Sequence, residues 1–592
     1  MKHYNIYNKV KNISLAFVVA VAGTGLTSCN NFLEIEPRNE ITQDKFWNEK
    51  NDVDNVVTGL YSSLASNGVL GKMMVWGEFR SENIINNGTI EKDVNLERLL
   101  KENITANNGY TYWGDFYSVI NKCNIVIKYA PEVASKDPSY NGSELEAHIA
   151  EVTAIRSLCY FYLIRAFRDV PYYEEAYLDD SQSMELPATP FNEVLQKLID
   201  NLEAVKDKAL TKYPEGNGLE AYYNTGRVTK NFIYALLCEM YLWQQNYDMC
   251  IHYADLIIES KKKDAQDKKY SEADFVNVNG YPLILSRNKG SNTFGNAFGE
   301  IFVTGNSMES IMEINFVKLS EGRQMSNEPV AYWYGADGRV PFVVAPSYIT
   351  QDQRDGLYKI YAKENDGMDG RSYENYRFAN SSPVSINKYA TKGGVSLESS
   401  KETYKTAGYS ALYETYGNDH ISRTKSNFIL YRLTDIMLLK AEAIALKITM
   451  EGNITKDDSD YKLIEEAFDL VDAVNKRSLM EVNPTHVLKI ANYTTKLSIL
   501  NLVYEERHRE LMFEGKRYFD LVRRSMREGN TDYLSKAVVN KNPNTASVVQ
   551  DKLKKMDAIF WPYNLDELKV NSNLHQNPAF GSGENSSYET SN

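Results

Sequence analysis

Cysteine is scarce, with five residues in a chain of 592. Cys123, Cys159, Cys238 and Cys250 fall within helical, largely apolar patterns, and none forms a Cys-x-x-Cys pair. A disulfide-built scaffold is therefore excluded, and buried, inert thiols are expected. Histidine is equally thin. Beyond residue 28, His148, His252, His420, His486, His508 and His575 are scattered, and no two are spaced to chelate a metal from one helix. A Gly-x-Ser-x-Gly elbow and a Gly-rich phosphate loop are both missing, so neither a hydrolase nucleophile nor a nucleotide cradle is expected. Positive charge is also short. The formal net charge is −13, and removing the first 28 residues, which carry three Lys and no acid, takes it to −16. A chain this acidic, without a basic stripe, repels a phosphate backbone, and nucleic acid is excluded as a ligand.

No apolar run is long enough to cross a bilayer of about 30 Å as a helix. The longest at the N-terminus, Ile13 to Gly23, has 11 residues and follows Lys2, Lys9 and Lys11. It leads into Leu26-Thr27-Ser28-Cys29, a small residue directly before a cysteine. That is the pattern of a bacterial lipoprotein signal, so residues 1–28 are expected to be removed and Cys29 to become an acylated first residue. With about 0.8 kcal/mol per buried methylene, several acyl chains anchor a protein firmly without threading it through the membrane. Asn30-Asn31 offers no Asp of the kind that retains lipoproteins in an inner membrane, which favours the outer one.

What is present in quantity is helical periodicity. Ala147, Ala150, Ala154, Leu158, Phe161, Tyr162 and Arg165 recur at three- and four-residue steps, predicting a helix over Leu145–Asp169 that Pro171 stops. Val228–Gln244 and Asp248–Glu259, separated by a short polar break, predict a tetratricopeptide-like hairpin. Further helices are expected at Thr42–Leu64, Tyr112–Tyr129, Phe191–Lys206, Leu433–Leu446, Lys462–Lys476 and Lys496–Met526. Between Lys261 and Phe428 the chain is rich in Gly, Asn, Ser and aromatics, with short apolar runs such as Glu300–Thr304 and Ile311–Phe316. It reads as loops and short strands. The fold class is thus mostly α: degenerate helical repeats over about 42–260 and 428–526, a loop-rich insertion over about 261–427, and a closing segment at 556–580.

Five segments in this order resemble the SusD/RagB family of outer-membrane nutrient-binding lipoproteins of Bacteroidetes. They are Asn31-Phe32-Leu33-Glu34-Ile35-Glu36-Pro37 with Phe46-Trp47 and Gly59-Leu60-Tyr61; Ala150-Glu151 through Arg156, Tyr160-Phe161 and Val170-Pro171; and Gly226-Arg227-Val228-Thr229-Lys230. The fourth is Tyr431-Arg432-Leu433-Thr434-Asp435 with Ala441-Glu442-Ala443 and Glu505-Glu506-Arg507 to Leu521. The fifth is Trp561-Pro562 with Gln576-Asn577-Pro578. Asp435 and Tyr518 depart conservatively from the family pattern, and the middle insertion matches it least. The resemblance implies one SusD-like domain over 29–592 with four tetratricopeptide-like helical pairs. It implies no catalysis and no cofactor, and a partner: a SusC-like TonB-dependent barrel transporter on which the lipoprotein sits as a lid.

The acids Glu505, Glu506, Glu510, Glu514 and Asp520 alternate with Arg507, Arg509, Lys516, Arg517 and Arg524. The spacings Glu505–Arg509, Lys516–Asp520 and Asp520–Arg524 predict ion pairs along a helix surface rather than the facing carboxylates of a glycosidase. The positive chemical signal is aromatic: 42 Tyr, 22 Phe and 6 Trp. Sugar rings stack their C–H faces on aromatic rings while their hydroxyls need polar side chains at the rim. Tyr160, Phe161, Tyr162, Tyr234 and Tyr241 belong to helices and are expected in the core. Two loops differ. Met73–Asn87 sets Trp76 and Phe79 beside Arg80, Glu82, Asn83, Asn86 and Asn87. Glu328–Phe342 contains Tyr332-Trp333-Tyr334 followed by Asp337 and Arg339. Three consecutive aromatics cannot all face inward, so at least one is expected at the surface. In the family the ligand is held by aromatics from these two regions. The expected site is therefore a stacking platform of Trp76, Tyr332, Trp333 and Tyr334, rimmed by Arg80, Glu82, Asn83, Asp337 and Arg339. The expected ligand is an oligosaccharide. Peptide capture on the same architecture, or a helical-repeat scaffold binding only proteins, are the alternatives.

Overall fold

The structure is a computed structural model that describes residues 46–88, 93–179, 181–214, 220–266, 276–286, 295–316, 326–336, 340–346, 369–377, 384–392, 421–479 and 487–581. Cys29, Asp337 and Arg339 lie outside the described residues.

The helices that frame the molecule are α1 Lys50–Leu64, α2 Asn67–Met74, α3 Val94–Leu100, α4 Gly114–Lys136, α5 Gly142–Phe167, α6 Phe191–Val205, α7 Lys230–Trp243, α8 Tyr247–Gln266, α9 Glu328–Tyr334, α10 Leu433–Leu446, α11 Tyr461–Ser478, α12 Lys496–Leu511 and α13 Arg517–Glu528, with further short helices between and after them. Four short strands matter here: β1 Ile85–Asn86, β2 Ser310–Ile314, β3 Val343–Val344 and β4 Phe428–Arg432. Neighbours in sequence pack as hairpins, α4 on α5, α7 on α8 and α10 on α11, and α8 also packs on α10. Strand β2 pairs antiparallel with β4, stitching the middle of the chain to the C-terminal helices. Glu300–Thr304 is not a strand but part of a π-helical turn over Gly299–Thr304.

Helix α5 is the centre of the molecule. From Ala150 to Phe167 every residue is buried, so the stripe seen in the sequence is only one side of a helix surrounded on all sides. Its charged members find partners inside, Glu151 with Arg227, Arg156 with Asn124 and Arg165 with Glu239. Arg165 bonds Glu239 at 2.9 Å and lies over the rings of Phe161, Tyr162 and Phe519. The helix ends before Pro171 exerts its effect, because Arg168 takes φ 69°, and Val170–Pro171 pairs as a strand with Ala188–Thr189. All four thiols expected in the core are buried and unbridged.

The expected helix over Lys496–Met526 is broken in two. Phe513 and Gly515 take φ 67° and 75°, and the turn they make is clasped by Glu78. One Glu78 oxygen accepts from the backbone N–H of Phe513 at 3.1 Å, and the other from Gly515 and Lys516 at 3.1 and 3.3 Å. Gly77 allows this approach: a Cβ there would stand 1.8 Å from the Gly515 carbonyl oxygen.

The acids and bases of this region depart from the surface ladder predicted for them. Glu505 does approach Arg509, at 3.9 Å, but Lys516 pairs with Asp435 and Asp520 with Arg507 and Arg523. The others form a buried tertiary network. Arg432 spans Glu510 and Glu514, with Nε 3.0 Å from Glu514 Oε2. Arg371 bridges Asp369, Glu506 and Glu510. Arg477 joins Glu309 to Glu510, and Lys388 reaches Glu514 at 3.0 Å. Four-residue spacing reveals which side chains are neighbours on a helix. It does not reveal whether that face meets water or the rest of the chain, and here it meets the insertion.

Candidate functional site

The two segments singled out in the sequence do come together. Strand β1 pairs antiparallel with β3, with Ile85 opposite Val344 and Asn86 opposite Val343, and α9 packs against α2. Asn87 tightens the join, its N–H donating to the Phe342 carbonyl and its Nδ2 to that of Pro341. The segment carrying the three aromatics is a short helix rather than a loop, capped by Asn327, whose side chain accepts from the Val330 N–H.

Successive residues of a helix project about 100° apart, so three in a row divide between core and solvent. Tyr334 turns inward and donates from its hydroxyl to the Phe513 carbonyl at 3.1 Å. Trp333 is 4% exposed, meeting Phe79 edge-on at 5.0 Å with Tyr110 at 5.9 Å. Tyr332 is 39% exposed. Its ring stacks on Phe342 with centroids 4.1 Å apart and planes 23° apart, and rests edge-on against Trp333.

The expected platform therefore needs correction. Trp76 is fully buried, stacked on Phe116 at 4.7 Å and edge-on to Phe167, with its indole N–H donating to the Tyr110 carbonyl. No face remains for a sugar, because the π-helical turn Val75–Phe79 carries it inward between α4 and α5. Trp333 and Tyr334 lie beneath the surface as supports. Arg80, Glu82 and Asn83 are likewise spent inside. Arg80 pairs with Glu102 at 2.8 Å, donates to the carbonyls of Ala558 and Ile559, and lies over Tyr518. It thereby ties the first helices to the closing segment. Glu82 pairs with Arg517 at 2.6 Å. Burial alone would raise its carboxyl, but Arg517 and His508 outweigh that and hold it at about 2. Asn83 bridges Glu78 and His508 at 2.8 and 2.6 Å.

What remains at the surface is an aromatic pair, Tyr332 and Phe342, with Tyr110 beside them. Tyr110 is half-buried and donates to Asp93 at 2.9 Å, and Asp93 in turn caps α3 by accepting from the Leu96 N–H. Asn86 and Asn87 on β1 are half-buried nearby, and Val94 and Val340 are exposed. The patch thus offers flat rings ringed by a carboxylate, a phenol and amides, the combination that takes a sugar's C–H face and hydroxyls at once. Phe342 lay inside a named segment without being singled out. Tyr110 was missed, although the run Asn107-Asn108-Gly109-Tyr110-Thr111-Tyr112-Trp113 is itself a turn dense in aromatics. Among the described residues no group of three or more His, Cys, Asp or Glu is placed to hold a metal, and no helix is long and apolar enough to cross a membrane.

Comparison with known proteins places this scaffold. A family model described as "SusD family" matches residues 259–580, more than half of the chain, and one described as "Starch-binding associating with outer membrane" matches 31–242. The chain belongs to the SusD family. SusD-like protein P38 of Formosa agariphila is 25% identical over 590 residues, covering 96% of this chain and 99% of that one. A SusD homolog from Bacteroides thetaiotaomicron aligns with a TM-score of 0.62 at 16% identity, over 91% of this chain and 99% of the other. A laminarin-binding SusD-like protein aligns at 0.56 and 16%, over 90% and 100%. The tetratricopeptide-like helical scaffold is thus a SusD fold in which the aromatic patch is set.

Beneath the patch, Glu78 should make this SusD scaffold sensitive to pH. Burial pushes its carboxyl up to about 7, against the pull of Asn83 and the backbone N–H groups it accepts. A folded value above the unfolded one of about 4.5 means that the native state holds the proton more tightly. Its contribution to stability is complete below about pH 4.5 and is lost as pH rises through 7. In urea unfolding from pH 4.5 to 8, the difference between Glu78→Gln and the unaltered protein should shift in the variant's favour up to about pH 7 and then level. Parallel profiles would contradict this.

Proposed function

We propose that this protein is a cell-surface glycan-binding lipoprotein that captures oligosaccharides on the Tyr332–Phe342 patch and delivers them to a SusC-like TonB-dependent transporter in the outer membrane. The observation that carries the reading is one ring, Tyr332, held exposed and stacked on Phe342 at a polar rim in a SusD-family scaffold. The family description "Starch-binding associating with outer membrane" and a structural relative that binds laminarin support the ligand class and the location. An open surface also suits a sugar chain better than an extended peptide, which is best held in an enclosed, charge-lined cavity. Capture requires no reaction, and the proposed role is binding alone. Acyl chains on Cys29 hold the protein at the membrane.

Two measurements test this. A panel of neutral polysaccharides, laminarin and starch among them, titrated against the lipid-free protein should yield at least one ligand, whereas random peptide mixtures should not. Binding of peptides alone would overturn the ligand class. In cells, Cys29→Ser should move the protein from the membrane fraction to the soluble one. Retention in the membrane would overturn the anchor.

A further inference from the structure

A polar cavity of about 80 Å³ lies between the start of α7, the end of α8 and β2, away from the aromatic patch. Its walls include Lys261, 6% exposed, and Thr229, 3% exposed. Lys261 spends one of its three N–H donors on the Ser310 carbonyl at 2.5 Å. Thr229 is the N-cap of α7, and its hydroxyl neither caps the helix nor hydrogen-bonds another group among the described residues. A 14-residue helix therefore points its positive end at the cavity beside an unspent hydroxyl and an ammonium with donors to spare. The one acid on the wall, Asp264, is already held by Lys212.

We propose that this cavity binds a small tetrahedral oxyanion, a sulfate or phosphate group. The Thr229 hydroxyl and the Lys261 ammonium are the donors, set in the field of a helix end whose Lys230 and Phe232 N–H groups are already spent on the carbonyls of Leu210 and Thr229, and the volume suits one such group. Burial lowers the Lys261 amine to about 8, while Asp264, Glu309 and Glu313 pull it up and Lys212 pushes it down. An anion in the cavity offsets that desolvation, and its binding should fade above about pH 8.

The test is thermal unfolding of the lipid-free chain in sodium sulfate, sodium phosphate or a monosaccharide sulfate, against sodium chloride at matched ionic strength. Sulfate and phosphate stabilise most proteins by exclusion from the surface, an effect linear in concentration and blind to single residues. A bound anion instead gives a saturable rise. Thr229→Val should weaken it about fivefold, the loss of one hydrogen bond, and Lys261→Met should remove it. Response to the monosaccharide sulfate as well would identify a sugar ester as an acceptable source, and response to the inorganic salts alone would restrict the site to free anions. A linear rise equal in the unaltered protein and Thr229→Val would overturn the proposal, whether or not Lys261→Met folds.

Discussion

Arg432→Met should destabilise the protein by about 3–5 kcal/mol, because it strips a buried network of one cation and leaves its carboxylates in place. Arg432 is 1% exposed and engages Glu510 and Glu514 through side chains and the Glu510 carbonyl at 2.8 Å. Glu510 is also held by Arg371 and Arg477, and this concentration of positive charge overrides its burial and keeps its carboxyl well below the usual range. Remove Arg432, and among the described residues Glu514 keeps Lys388 alone as an ion-pair partner. The network reaches Asp369, Arg371 and Lys388 in the middle of the chain, so its loss should loosen the insertion from the helices. Urea unfolding followed by circular dichroism measures the loss. Glu505→Ala serves as contrast: its carboxylate is half-exposed, 3.9 Å from Arg509, and its removal should change stability by less than about 1 kcal/mol. Equal effects of the two substitutions would mean that the network is no more than a set of independent pairs.

Tyr332→Ala should weaken glycan binding at least about tenfold, some 1.4 kcal/mol, with little change in stability. In the proposed mode of capture the exposed ring is the contact surface, so removing it should leave the sugar no flat apolar face, while the core beneath is untouched. Phe342→Ala should give a similar but smaller loss, since Phe342 holds the Tyr332 ring at 4.1 Å rather than presenting the main face itself. Trp76→Leu should behave in the opposite way. Its indole fills the core and bonds the Tyr110 carbonyl at 2.9 Å, so stability falls while affinity in the folded fraction persists. Calorimetric titration beside thermal unfolding separates the two classes. A Tyr332→Ala protein that binds normally, or a Trp76→Leu protein that is stable and fails to bind, would reverse the assignment.

The helical frame was legible because periodicity needs only local information. Leu433–Leu446 forms as the sequence predicts, and Tyr461–Ser478 extends the predicted span by one or two residues at each end. Lys496–Met526 failed in part, since the break at Phe513–Gly515 is imposed by Glu78, more than 400 residues away in the chain. The candidate site was legible as two segments that meet and illegible as side chains. Aromatic density marked Glu328–Phe342, and the expectation that one of three adjacent rings must face out is met by Tyr332. Which of the three it is depends on the orientation of α9 against α2, which no local pattern encodes. Polar neighbours misled for the same reason. Arg80, Glu82 and Asn83 look like a rim beside Trp76, yet each finds a partner in the C-terminal third: the Ala558 carbonyl, Arg517 and His508.

Whether a sugar lies on Tyr332 is decided by a crystal structure of the protein with an oligosaccharide from the panel. A pyranose ring should stack over the exposed face of Tyr332, its hydroxyls within hydrogen-bonding distance of Asp93 or the β1 asparagines. A well-occupied ligand bound elsewhere, with the Tyr332 ring bare, would contradict it.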